Sequence, residues 1–146
     1  MAADTQVHFE LLTHADRIKG IAHLLFRRNR LTPHVLILCP DIDTMQQLDD
    51  TLWTIHPTAF LPHAIASNDT EYNAKQPILL ATNINRDNQA TVLINAGLEV
   101  PPSLEGFSHI VDFVDGWDEG LKQASRERFK TYRQLSFEPT YISSQS

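Results

Sequence analysis

Asp41 and Asp43 stand two apart, directly after the apolar run of residues 34–39. In an open α/β sheet the carboxyl end of a buried strand is where chemistry is placed. A carboxylate pair there could hold magnesium and attack a phosphate ester. The same residues also suit a helix start, with Asp43 as N-cap and Gln46 three positions on completing a capping box. No downstream lysine and acidic pair finishes a phosphatase site, so the capping reading is the better supported. The seven histidines show no metal-ligand spacing. There is no Gly-x-Ser-x-Gly elbow for a nucleophile. None of the five glycines falls between the first strand and the first helix, where a phosphate-binding fingerprint would lie. These residues point away from an enzyme and name no cofactor, catalytic residue or metal ligand.

The stronger signal is a helix near the carboxy terminus. Between Lys122 and Arg133 the chain carries five cations against one glutamate, a local charge of +4, whereas the whole protein stands at −6. At about 100° per residue, Lys122, Arg126, Phe129, Lys130 and Arg133 share one stripe. Leu121, Ala124, Tyr132 and Leu135 fall on another side and are expected to pack on a sheet. A large ring held among exposed cations suits an acidic peptide with an apolar end. A merely solvated helix face is the alternative, and geometry alone divides the two evenly. Arg128 lies nearer the packed side and is expected to be structural, paired with a carboxylate such as Asp112, as a half-buried guanidinium requires. A second feature is Trp53 at a predicted helix end, followed by Phe60, Pro62 and His63 in an irregular segment. Aromatics beside proline are frequent interface anchors, although they also close cores.

The elements that must position these residues follow from hydrophobic period. Residues 7–12 read as a strand and residues 14–29 as a helix, with Thr13 as N-cap and Asp16 completing an approximate capping box. Ile18, Ile21, Ala22, Leu25 and Phe26 form the apolar face of that helix. Residues 34–39 make a strand covered on both faces. A second helix over 44–55 places Met45, Leu48, Leu52 and Ile55 inward. Residues 60–65 are extended, but Pro62 confines them to an edge. Residues 67–76 read as an exposed loop. Residues 78–82, 91–95 and 109–114 supply three further strands. The pattern is a single three-layer α/β domain over residues 1–137, with a mixed, mostly parallel sheet flanked by helices and no phosphate-binding loop. Residues 138–146 are expected to be a mobile tail.

Length and composition agree with one soluble domain. At 146 residues the chain can bury a real core. The acidic balance argues against general nucleic-acid binding. One cysteine, Cys39, leaves no internal disulfide and reads as a small core residue. The first residues lack the pattern of a signal peptide, and no apolar run approaches the roughly 20 residues that span a bilayer. A cytoplasmic protein is expected.

Leu52-Trp53, the segment from Phe60 to His63, Val111 to Val114, and above all Leu121 to Arg133 resemble the chi subunit of the bacterial DNA polymerase III holoenzyme. The resemblance runs over nearly the whole chain and is weakest across residues 67–89. It implies a non-catalytic α/β protein of the clamp-loader assembly. Such proteins bridge the small psi subunit and the acidic C-terminal tail of single-stranded DNA-binding protein. By position, Lys122, Arg126, Phe129, Lys130, Arg133 and Val114 would line the tail pocket, and Trp53, Phe60 and Pro62 would face psi. Two departures stand out. The segment from Asp115 to Gly120 is one residue longer than the family pattern, which makes Trp117 a candidate for the pocket rim. Phe129 stands where family members commonly have tyrosine. The alternatives are direct single-stranded nucleic-acid binding and the Asp41/Asp43 phosphatase.

Overall fold

Parallel strands buried on both faces read as unbroken apolar runs. The segments β2 (Val35–Leu38), β4 (Ile78–Ala81) and β5 (Val92–Asn95) are of this kind. In the computed structural model, which describes residues 5–12, 15–27, 34–55 and 61–142, they form the middle of one sheet. With β1 (Gln6–Leu12), β3 (Ala64–Ile65), β6 (His109–Asp115) and β7 (Thr140–Ile142) the order is β3-β4-β2-β5-β6-β1-β7. Every described pairing is parallel, so the expected mixture of directions reduces to a purely parallel sheet.

Alternation along the strands divides the core in two. Ile37, Ile94, Val111 and Phe113 pack with Ile21 and Leu25 of α1 (Arg17–Arg27) and with Leu48 and Leu52 of α2 (Ile42–Thr54). Val7, Phe9, Leu36, Leu93 and Ile110 pack on the opposite side with Phe107 and with Tyr132 of α4 (Glu119–Gln134). Helices on both faces make three layers. Each fully buried Leu, Ile or Phe contributes about 1.5–3 kcal/mol relative to exposure.

Four expectations change. The cap of α2 is Asp41, not Asp43: its carboxylate accepts the Thr44 N–H at 2.7 Å, and Asp43 instead accepts from the Gln47 amide at 2.7 Å. The helix therefore starts two residues early, because Asp41 has the extended backbone a cap needs. At α1, Asp16 accepts the Lys19 N–H at 3.0 Å from the position preceding the helix, while Thr13 lies outside the described residues. The loop over 67–76 contains a short helix, α3 (Thr70–Ala74), capped by Asp69. Buried Asn73 holds it down by donating to Ser67 O and to Asp87, both at 2.8 Å.

The fourth change is the carboxy terminus. Thr140–Ile142 does not trail away but extends the sheet as β7, opposite His8, Phe9 and Glu10. Ser136 takes a positive φ of 76° just after α4 and turns the chain back. Phe137 then packs edge-on against Tyr132, ring centroids 6.4 Å apart. This reversal also explains why Leu135, expected on the packed side, is 48% exposed: it caps a helix that has already ended.

Candidate functional site

The carboxyl end of β6 launches α4, and the launch is tightly specified. Gly116 donates to Leu12 O at 2.9 Å, in a turn so close that a Cβ there would lie 2.7 Å from the Leu11 side chain. Asp118 caps the helix by accepting the Leu121 N–H at 2.8 Å. Asp115, at the end of β6, is buried and pairs with Arg17. Burial pushes the Asp115 carboxyl above the usual range, with Arg17 opposing that shift. Arg17 also donates to Ala96 O at 3.3 Å and Gly97 O at 2.9 Å, which joins the ends of β5 and β6 to the start of α1.

The rotation of α4 about its axis is set by a buried polar network. Asp112 of β6 is wholly buried and accepts from Arg128 Nε at 3.0 Å, Tyr132 Oη at 2.8 Å, Asn95 Nδ2 at 3.0 Å and its neighbour Phe113 N at 2.7 Å. Arg128 is only 3% exposed, and its remaining nitrogens donate to Leu98 O at 3.1 Å and Phe113 O at 2.8 Å. The expected Arg128–Asp112 pair is therefore present, and it is larger than a pair. Burial, reinforced by Asp112, pushes the Tyr132 hydroxyl far above its ordinary range, so it remains a donor. A carboxylate with this many donors is adequately compensated for lost hydration.

With Arg128 and Tyr132 turned inward, the cationic stripe faces out. Val114, Lys122, Arg126 and Phe129 meet around one hollow of about 220 Å³. Phe9, Ser125 and Tyr141 complete its lining. The half-buried Phe129 ring leans on Phe9, centroids 5.3 Å apart at 47°, so it lines the hollow and is not sealed in the core. Lys122 sits 3.5 Å from Glu119, and Arg126 donates to Gln123 Oε1 at 3.1 Å; both contacts are on the exposed side of the helix. Lys130 and Arg133 are exposed but do not line the hollow. Arg133 lies about 10 Å farther along the axis than Arg126 at 1.5 Å per residue. They continue the charged strip past the hollow. Trp117, 38% exposed, is not among the lining residues.

Three lining residues were missed from sequence. Phe9 shares its strand face with Val7, as period-two alternation could have shown. Ser125 is one turn from Lys122. Tyr141 lies in a Thr-Tyr-Ile triplet with high β-propensity, a signal outweighed by the polar residues around it.

At the other proposed surface, Trp53 is half exposed near the end of α2 and its ring lies 4.4 Å from that of His63. His63 is buried, with Nδ1 2.6 Å from Leu61 O and Nε2 3.3 Å from Asp49. Pro62 is partly exposed next to it. Phe60 lies outside the described residues. A larger hollow, about 890 Å³, opens beyond the carboxyl ends of β2 and β5 and reaches Asp41 and Thr44. Its deep polar groups are already committed within the chain. Arg17 is held as above, and Asn95 donates to Glu99 O at 2.9 Å and accepts from Gly97 N at 3.1 Å. Cys39, at the same end, is buried, and desolvation pushes its thiol up to about 12. That places it far from a reactive thiolate.

Fold and site together define a parallel α/β protein whose distinctive feature is a cationic hollow floored by aromatic rings. The chain belongs to the family described as "DNA polymerase III chi subunit, HolC", whose profile matches residues 5–140. It is 29% identical over 136 residues to DNA polymerase III subunit chi of Pseudomonas aeruginosa, covering 91% of this chain and 92% of that one. The Escherichia coli chi subunit is 30% identical over 118 residues, covering 80% and 78% of the two chains. That of Haemophilus influenzae is 35% identical over 100 residues, covering 68% and 67%. The family is an accessory subunit of a replicative polymerase, not its catalytic one.

Among solved structures, T4 UvsW matches with a TM-score of 0.64 at 9% identity, covering 96% of this chain but only 42% of that protein. A C-terminal domain of S. cerevisiae Dbp5 matches with a TM-score of 0.60 at 14% identity, covering 99% and 92%. Likeness at this identity shows the fold alone. Among the described residues, no helix is long and apolar enough to cross a membrane.

Proposed function

We propose that this chain is a cytoplasmic docking subunit that links the replicase to coated template during DNA replication. The α4 hollow takes the acidic, aromatic-tipped C-terminal tail of single-stranded DNA-binding protein. The Trp53–Pro62 surface takes psi, which tethers the chain to the clamp loader. The observation that carries this reading is the meeting of Val114, Lys122, Arg126 and Phe129 around one hollow.

The geometry suits electrostatic attraction followed by anchoring. The tail's carboxylates are drawn to Arg126, Lys122 and the strip continued by Lys130 and Arg133, and its final ring enters the hollow. An engineered apolar cavity of about 150 Å³ holds benzene, so 220 Å³ admits one aromatic ring. Burying that ring contributes about 1.5–3 kcal/mol. Each solvent-exposed ion pair adds about 0.2–1 kcal/mol. Ordering a disordered tail opposes both. With four cations the favourable part is at most about 7 kcal/mol, so the contact is weaker than the micromolar level that corresponds to about −8 kcal/mol. Several tails on one oligomer would then hold the replicase by avidity while single contacts exchange.

The test is calorimetric titration of the full chain with an aspartate-rich synthetic peptide ending in phenylalanine. Arg126→Ala is expected to abolish measurable binding while psi still co-purifies. Unchanged affinity in that variant removes the site assignment. A gel shift with naked single-stranded DNA separates the rival reading: retardation by the free protein at physiological salt would favour direct nucleic-acid binding. For the second surface, Phe60→Ala and Trp53→Ala are each expected to break co-purification with psi and to spare peptide binding. Retained psi in both would discard that surface.

A further inference from the structure

The hollow against α4 is not closed by α4 and the central strands alone. Its remaining wall comes from β7, a strand of three residues at the open edge of the sheet. Tyr141 is in register with Phe9 on the neighbouring parallel strand, so both side chains leave the sheet on the same face. Phe9 is wholly buried and forms the floor under Phe129, whereas Tyr141 is 53% exposed. A half-exposed ring beside a buried ring, both lining one hollow, is a wall with room in front of it.

Resting on the tail-binding reading above, we propose that Tyr141 is a specificity-determining residue of this site. It forms the wall against which the ligand's terminal aromatic ring packs, opposite Val114 and Phe129. Three features of the molecule support this role. A ring at position 141 has little to gain within the protein, since about half its surface remains in water. The hollow's volume matches one further ring and its lining is apolar except for Lys122, Ser125 and Arg126 on the helix side. The cations therefore all come from α4, whereas the strands contribute Phe9, Val114 and Tyr141, an arrangement that distinguishes an aromatic terminus from a merely acidic peptide. Aromatic pairs add a geometric preference beyond the area they bury. Because β7 joins the sheet through β1 alone, the segment after Phe137 also decides whether the hollow has this wall at all.

The experiment is a double-mutant cycle in the full chain, read by calorimetry. One axis is Tyr141→Ala; the other replaces the terminal phenylalanine of the aspartate-rich peptide by alanine. Tyr141→Ala is expected to weaken the phenylalanine-ended peptide about tenfold, the loss of one aromatic contact. It should hardly change the already weakened alanine-ended peptide. The slope of affinity against salt should stay as in the unaltered protein. Tyr141→Phe should restore most of the affinity, because the ring and not the hydroxyl makes the wall. Additive losses on the two axes, or an unchanged affinity in Tyr141→Ala while Arg126→Ala still weakens binding, overturn the role of Tyr141 and leave the tail-binding reading in place. Failure of the unaltered chain to bind the phenylalanine-ended peptide overturns both. Thermal melting of Tyr141→Ala should match the unaltered protein; a collapse of the melt together with lost binding of both peptides also counts against the proposal, since it assigns Tyr141 to the fold.

Discussion

Arg126 and Arg128 are two residues apart on one helix, yet they belong to opposite economies of charge. Arg128 is sealed among Asp112, Phe113 O and Leu98 O. Arg126 is exposed and donates to Gln123 along the helix surface. A buried guanidinium must be fully paired or it is strongly destabilising, whereas an exposed one contributes little to the fold. The inner face of α4 therefore fixes the orientation of the helix, and the outer face is left free to meet a partner. The same residue type stabilises on one side and, in the function proposed above, recognises on the other.

The largest effect is expected where the inner face is broken. Arg128→Ala leaves Asp112 buried with a lost partner and should cost about 3–5 kcal/mol in chemical denaturation. A loss under about 1 kcal/mol, typical of surface positions, would show that Asp112 does not depend on the arginine. Next comes Tyr132→Phe, which removes one donor from the same carboxylate and should cost about 1–3 kcal/mol. Peptide affinity should fall only as far as the helix loosens, so an intact melt with lost binding would contradict the division between the two faces.

On the outer face the order of effects reverses between stability and binding. Arg126→Ala should leave the unfolding free energy within about 0.5 kcal/mol while removing peptide binding. Lys130→Ala and Arg133→Ala, on the strip beyond the hollow, should each weaken the peptide only severalfold, as single exposed ion pairs do. If either matched Arg126→Ala, the peptide would be centred farther along α4 than the hollow. The smallest and most diagnostic change is in salt response. Raising ionic strength toward 1 M shortens the screening length from about 10 Å to about 3 Å. It should weaken the unaltered complex progressively and leave the Arg128–Asp112 contribution almost untouched. A salt-independent peptide affinity would assign the contact to the apolar lining.

Much of this was legible in one dimension. The unbroken run of β2 announced a strand covered on both sides, and period 3.6 placed Arg128 and Tyr132 inward on α4 and Arg126 outward. Even the Asp112 partner of Arg128 followed from the rule that a buried cation needs a carboxylate. The errors have local causes. Asp41 displaced Asp43 as a cap because capping is decided by backbone conformation, which two neighbouring aspartates do not reveal. Leu135 was placed on the packed face by extending helical period one residue past the end of α4, where Ser136 turns the chain. The residues over 138–142 looked polar and unpatterned because an edge strand needs only one partner and little burial.

The amino-acid sequence alone determined the layers, the absence of a phosphate loop and the charge of the helix, since these depend on residue type and on spacing within single elements. Only the tertiary structure decided that Phe9, Val114, Phe129 and Tyr141 share one hollow. Those residues come from β1, β6, α4 and β7, and no local period encodes which elements lie side by side. Strand order does so, through the packing of the whole sheet: it sets β1 between β6 and β7 and so brings β1 and β7, far apart in sequence, to the same cationic helix.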